Sequence, residues 1–191
     1  EGHDMEYDLE ANLTPNQAFK TKRGNCLSFT ILMVSLANEL GVELQYNDVQ
    51  LPSIWNQDEQ TGLVFYRHVN AVYKSPRQTQ IFDLAIEEYD SAYPQTTISR
   101  RSAGAMLQSN LGISALKRQD MEQAFHHLKL AVSMDPQTSY LWTNFGVALK
   151  RNGDYRKAEE LFKVAFKLKD FNSLAASNLE RLYREQGRTS L

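Results

Sequence analysis

The sequence predicts an α+β protein in two parts. Residues 1–98 read as a small core, with a buried helix packed on an antiparallel sheet, and residues 99–191 read as an all-α repeat unit. Three observations predict this. The apolar pattern changes from a continuous helical run to alternation after Gly41. Small and apolar residues recur 34 positions apart beyond residue 105. The charge also divides: residues 1–102 carry 8 basic and 14 acidic side chains, and residues 103–191 carry 13 and 9. Such an asymmetry suggests two units of different origin.

Composition narrows the function classes. With 42% hydrophobic residues the 191-residue chain has the material for a buried core. A net charge of −2 argues against a general nucleic-acid binder. One cysteine, Cys26, excludes an intramolecular disulfide and a cysteine-rich metal site. The longest apolar stretch, Leu27 to Leu40, is broken by Ser28, Thr30, Ser35, Asn38 and Glu39, so no transmembrane segment is expected. The opening Glu1-Gly2-His3-Asp4 has no positive or apolar region of a signal peptide. No phosphate-binding glycine loop and no helical His-x-x-x-His occurs, so neither cofactor nor metal is expected.

The elements follow in order. Residues 16–40 read as helical, broken at Gly24. Asn25 is placed to cap a helix from Cys26 to Leu40, and Gly41 to end it. Leu27, Phe29, Ile31, Leu32, Val34, Leu36, Ala37 and Leu40 make that helix apolar nearly all round, the pattern of a helix inside a domain. Val42 to Tyr46 alternates and reads as a strand. Asn56 to Gly62 reads as a loop beside Trp55. Leu63 to Lys74 reads as a second strand, Ser75-Pro76-Arg77 as a turn, and Ile81 to Ala85 as a third strand.

Beyond residue 105, Gly112 and Gly146, Ala124 and Ala158, Leu128 and Phe162, and Ala131 and Ala165 are each 34 apart. Asn152-Gly153-Asp154 is a turn between two helices, and Gly187 falls at the Gly153 offset. Over about residues 105–187 the pattern resembles two tetratricopeptide repeats and a final helix. Small residues let helix axes approach while Leu128 or Phe162 fills the space between. Such an array implies either a groove for a protein or peptide partner or a structural buttress; a plain helical bundle is the third reading. His126 and His127 are neighbours pointing different ways and read as surface residues.

Three residues of the first part point to chemistry. Cys26 sits in the first turn of a buried helix, where the partial positive charge favours a thiolate. His68 and Asp83 lie on successive strands. A hairpin turning at Ser75-Pro76 would set them opposite each other on one face; a longer loop through Gln80 would instead set Lys74 opposite Ile81. A carboxylate beside a histidine, with a thiol in reach, is the arrangement of nucleophilic catalysis. Each residue also has a plainer reading, as buried hydrophobe, strand histidine or turn-bonding acid.

The segment Arg23-Gly24-Asn25-Cys26-Leu27-Ser28-Phe29-Thr30, followed by its apolar helix, resembles the nucleophile region of the transglutaminase-like, papain-like superfamily. Arg67-His68-Val69-Asn70-Ala71 is similar to its histidine strand and Phe82-Asp83-Leu84 to its aspartate strand, over about residues 12–90 in all. The resemblance implies a Cys26–His68–Asp83 triad acting on peptide or isopeptide amides, as hydrolase or acyl transferase, with repeats that recruit a protein partner or substrate. The Cys26 backbone N–H is the first expected oxyanion donor and the Asn25 side chain a candidate second. Trp55 would line or cover the cleft, or simply pack. The same resemblance implies an exported bacterial protein. The competing expectation is a catalytically silent module that binds peptide or protein through the cleft and the repeats.

Overall fold

A computed structural model of the chain describes residues 5–50, 56–58, 62–64, 67–85, 90–168 and 172–188. These residues gather into two units. One comprises residues 5–50, 67–85 and 90–103; the other comprises residues 56–58, 62–64, 104–168 and 172–188. The architecture is α+β.

In the first unit the chain begins with a two-residue strand, β1 (Glu6–Tyr7), parallel to β2 (Arg23–Gly24). Between them lies α1 (Pro15–Thr21). Thr14 caps α1 in a reciprocal box with Gln17, and Pro15 starts it where a missing N–H costs nothing. Next comes α2 (Cys26–Glu39), capped as expected by Asn25, whose Oδ1 accepts the Ser28 N–H at 2.9 Å. Leu27, Leu32, Val34 and Ala37 are buried on it, but Leu36 and Leu40 at its end are exposed. The all-round apolar pattern therefore buries only part of its circumference.

A four-stranded antiparallel sheet follows, built from β3 (Gln45–Val49), β6 (His68–Lys74), β7 (Thr79–Phe82) and β8 (Gln95–Ile98), in the order β7-β6-β3-β8. The first strand starts three residues later than the alternation suggests. Gly41 adopts φ +70°, and the Val42 N–H bonds back to Ala37 O at 2.8 Å, so residues 40–42 close α2 rather than enter the sheet. The expected single strand Leu63–Lys74 is two pieces, β6 and β5 (Gly62–Val64); β5 pairs with β4 (Asn56–Asp58) in the second unit. The third strand ends at Phe82, because the chain turns after Asp83. β8 is polar and mostly exposed, so no alternation marks it in the sequence.

The second unit contains α3 (Arg100–Lys117), whose first turn belongs to the first unit, α4 (Met121–Met134), α5 (Ser139–Arg151), α6 (Tyr155–Lys167) and α7 (Asn172–Glu185). The 34-residue period appears in the hydrogen bonds themselves. Helices α3, α5 and α7 each end in a left-handed residue, Gln119, Gly153 and Gly187, with φ of 64°, 83° and 65°. Each is closed by the same backward bond, from Asp120 to Ala115, Asp154 to Leu149 and Arg188 to Tyr183. Asp120 and Asp154 then cap α4 and α6. Leu128 and Phe162 are fully buried against Gly112 and Gly146. This part of the chain is thus built of tetratricopeptide-like helical repeats. His126 is exposed and His127 half-buried, and their rings meet edge to face at 5.3 Å.

Candidate active site

The site begins at the N-terminus of α2. Asn25 is 3% exposed, and its amide is committed on every side. Its Oδ1 caps the helix, while Nδ2 donates to Asn12 Oδ1 at 2.7 Å and to Leu9 O at 3.3 Å. Ser28, one turn on, donates to Ala11 O and accepts from the Leu13 N–H. The loop before α1 is thereby tied to the first turn of α2. Asn25 serves here as cap and tether; both of its amide hydrogens face Leu9 and Asn12.

Cys26 follows at the first helical position and is partly buried. Thr30, one turn later, has its hydroxyl within 2.7 Å of Cys26 O and 2.9 Å of Val69 O, its one hydrogen shared between the two carbonyls. One hydroxyl thus joins the Cys26 turn to β6. The next strand residue back along β6 is His68.

His68 Nε2 lies 2.6 Å from Asp83 Oδ2, and their side chains are 8% and 0% exposed. The register behind this contact differs from a hairpin centred on Ser75-Pro76. Lys74 pairs with Thr79 and Ala71 with Phe82, so Asn70 stands at the position facing Asp83 and His68 reaches it diagonally. A slip of two residues keeps every side chain on its own face, which is why the pair still meets. Asp83 Oδ1 accepts the Ala85 N–H at 3.0 Å, and Asn70 Nδ2 donates to Oδ2 at 3.1 Å.

Cys26 lies close enough to His68 for its sulfur to act on the imidazole pKa alongside Asp83. Burial alone would pull the His68 pKa down. The bonds and charges of Asp83 and Cys26 outweigh it and push the value up to about 10. For Asp83 burial acts upward, but the bond and charge of His68, with the Ala85 and Asn70 donors, hold it below the usual carboxylate range.

The structure therefore brings Asp83 onto His68 and sets Cys26 in the neighbourhood of the same imidazole. Trp55 lies outside the described residues. Two features were not read from the sequence. Arg67, beside His68, makes a two-pronged ion pair with Asp48 of β3, through Nε at 2.8 Å to Oδ1 and through Nη2 to Oδ2. Asn47 of β3 bridges Asn70 and Gln95. The signal for both was a run of polar residues, Gln45-Tyr46-Asn47-Asp48, inside a buried strand. Among the described residues, no three His, Cys, Asp or Glu side chains gather as a metal site requires, and no helix is long and apolar enough to cross a membrane.

No family model matches the chain. A stretch of 104 residues, 54% of the chain, is 30% identical to the Protein O-mannosyl-transferase Tmtc1 of Drosophila melanogaster, and the alignment spans 12% of that protein's length.

Proposed function

We propose that the chain is a cysteine hydrolase or acyl transferase of the transglutaminase-like kind, acting on peptide or isopeptide amide bonds, with its helical repeats recruiting a protein partner or substrate. The observation that carries this reading is one shielded imidazole held by a carboxylate at 2.6 Å, with the thiol of a helix N-terminus near enough to act on its pKa. A histidine serving only the core needs no second ionisable partner.

In this reading His68 takes the Cys26 proton, and Sγ attacks the amide carbonyl carbon. The oxygen that gains charge faces the Cys26 backbone N–H, one of the helix N–H groups without an acceptor in its own helix. His68 then gives its proton to the departing amine, leaving a thioester. Water, or a second amine in the transferase case, attacks the thioester; His68 accepts its proton and returns it to sulfur. Asp83 stays ionised throughout and holds the ring.

The test is iodoacetamide alkylation of the single cysteine against pH, in the parent and in His68→Ala. The parent is expected to alkylate much faster than a free thiol near neutral pH, and His68→Ala abolishes that advantage. A thiol that is inert, or that titrates like free cysteine in both proteins, overturns the enzyme reading and leaves partner binding as the function of the chain.

A further inference from the structure

The sheet carries a line of side-chain amides that the reaction outlined above does not use. Gln95 on β8, Asn47 on β3 and Asn70 on β6 run from the edge of the sheet to Asp83, one from each successive strand. Asn47 and Asn70 are 4% and 0% exposed, whereas Gln95 is on the surface. Buried amides without a strong reason are uncommon, since each must find partners for two donors and an acceptor.

The direction of every bond in the line follows from the charge at its end. An ionised carboxylate only accepts, so Asn70 must turn its NH2 toward Asp83, at 3.1 Å. Its Oδ1 then faces Asn47, which must present its own NH2, at 2.9 Å. The second hydrogen of that NH2 goes to Gln95 Oε1 at 2.8 Å. A protonated Asp83 could donate to the oxygen of a flipped Asn70; an ionised one cannot. The register adds to this, because Asn70 and Asn47 are direct cross-strand partners while Asn70 stands at the Asp83 position of the next strand. The sheet therefore holds the amides at fixed spacing, and they cannot drift apart without unpairing strands.

Resting on the triad reading above, we propose that Asn70 is a positioning residue for Asp83, oriented in turn by Asn47 and Gln95. Three donors then fix the carboxylate plane: His68 Nε2 and Asn70 Nδ2 on Oδ2, and the Ala85 N–H on Oδ1. With its plane fixed, the carboxylate presents Oδ2 to His68 in the orientation that favours imidazolium and, through it, a thiolate at Cys26. The Asn70 bond also belongs to the group of interactions that keep Asp83 ionised. Of the other charged groups near the line, Arg67 and Asp48 pair with each other.

The experiment is the Cys26 alkylation profile of the full chain in the parent, Asn70→Ala and Gln95→Ala, with circular dichroism and a thermal melt of each. The expected result is an acidic limb raised by about one unit in folded Asn70→Ala, a loss of about tenfold in alkylation rate on that limb. A smaller shift in the same direction is expected for Gln95→Ala. A merely structural amide would lower the melting temperature and leave the limb in place. A folded Asn70→Ala with the parent's limb, or with the limb moved down, overturns the positioning role. If Asn70→Ala does not fold, the surface variant Gln95→Ala decides: a raised limb supports the line and an unchanged one refutes it. A parent that titrates like a free thiol overturns the triad reading itself, and the amide line falls with it.

Discussion

Replacing Gly146 by alanine separates two opposite expectations for the repeat unit. In an isolated helix, alanine is better than glycine by about 1 kcal/mol, so a merely helical Gly146 would gain stability on substitution. In the structure a Cβ at Gly146 would lie 2.5 Å from Phe162 Cε1, 2.7 Å from Cδ1 and 3.1 Å from Cζ. Carbon atoms pack at roughly 3.5–4.0 Å, so α5 and α6 would have to part by about 1 Å. Phe162 is fully buried in the same apolar cluster as Ala148, Ala158 and Leu179, which opposes its retreat. Overpacking of this kind costs typically about 1–3 kcal/mol. Set against the helical gain, Gly146→Ala should destabilise by about 1 kcal/mol or slightly more. In a chain of this size that lowers Tm by about 3 °C. Urea unfolding of Gly146→Ala, Phe162→Leu and the double variant measures the term directly. The double variant should recover part of the loss, since a smaller side chain makes room for the methyl group. An alanine variant more stable than the parent would refute the close approach of α5 and α6, and with it the packing logic of the repeat.

Three other outcomes follow from the structure. Changing Gln119, the non-glycine member of the left-handed series, to glycine should stabilise the chain by about 1 kcal/mol in urea unfolding; no gain would mean that α3 does not end as α5 and α7 do. The His68–Asp83 pair should shape stability against pH. His68 sits near 10 in the folded chain against 6.5 ordinarily, so its contribution is complete below pH 6.5 and is lost as pH rises through about 10. Asp83 is lowered from 3.8, so its contribution is present above that value and is lost in stronger acid. Melts between pH 4 and pH 10 should therefore show an alkaline fall that Asp83→Asn flattens, and parallel curves for the two proteins would sink the pairing. Glu159 accepts from Arg188, Lys163 and Tyr183, joining α6 to α7 and its end, and the Arg188 and Lys163 bonds lead in holding its pKa at about 2 against 4.5. Glu159→Gln should melt lower than the parent above pH 4.5, with the gap closing as pH falls toward 2; a gap constant across that range would remove the charge from the explanation.

Local signals carry the parts of the fold that depend on neighbours in the chain. Asn25 before Cys26, and Gly41 after the apolar run, mark both ends of α2 because capping and left-handed termination act within a few residues. The 34-residue spacing of Gly112 with Gly146, and of Leu128 with Phe162, marks the repeats because each unit buries the same small-to-large contact. The faces of His68 and Asp83 were legible for a similar reason: alternation along a strand is a local property, and it survives a slip of two residues.

The pairing itself was not legible. Which residue faces Asp83 depends on how residues 75–78 turn, and there the Ser75 N–H bonds to Gln78 O, setting Lys74 against Thr79. The exposed strand β8 has no alternation to announce it, yet it supplies Gln95 to the amide line. Asn47, Asn70 and the Arg67–Asp48 pair look like ordinary polar residues until the strands are laid side by side. By itself the sequence determined the α+β class, the capped cysteine helix and the period of the repeats. Only the tertiary structure decided the sheet order, the partners of His68 and the amide line behind Asp83, because a hydrogen bond between strands depends on register and direction, and neither is written in the composition or spacing of a single strand.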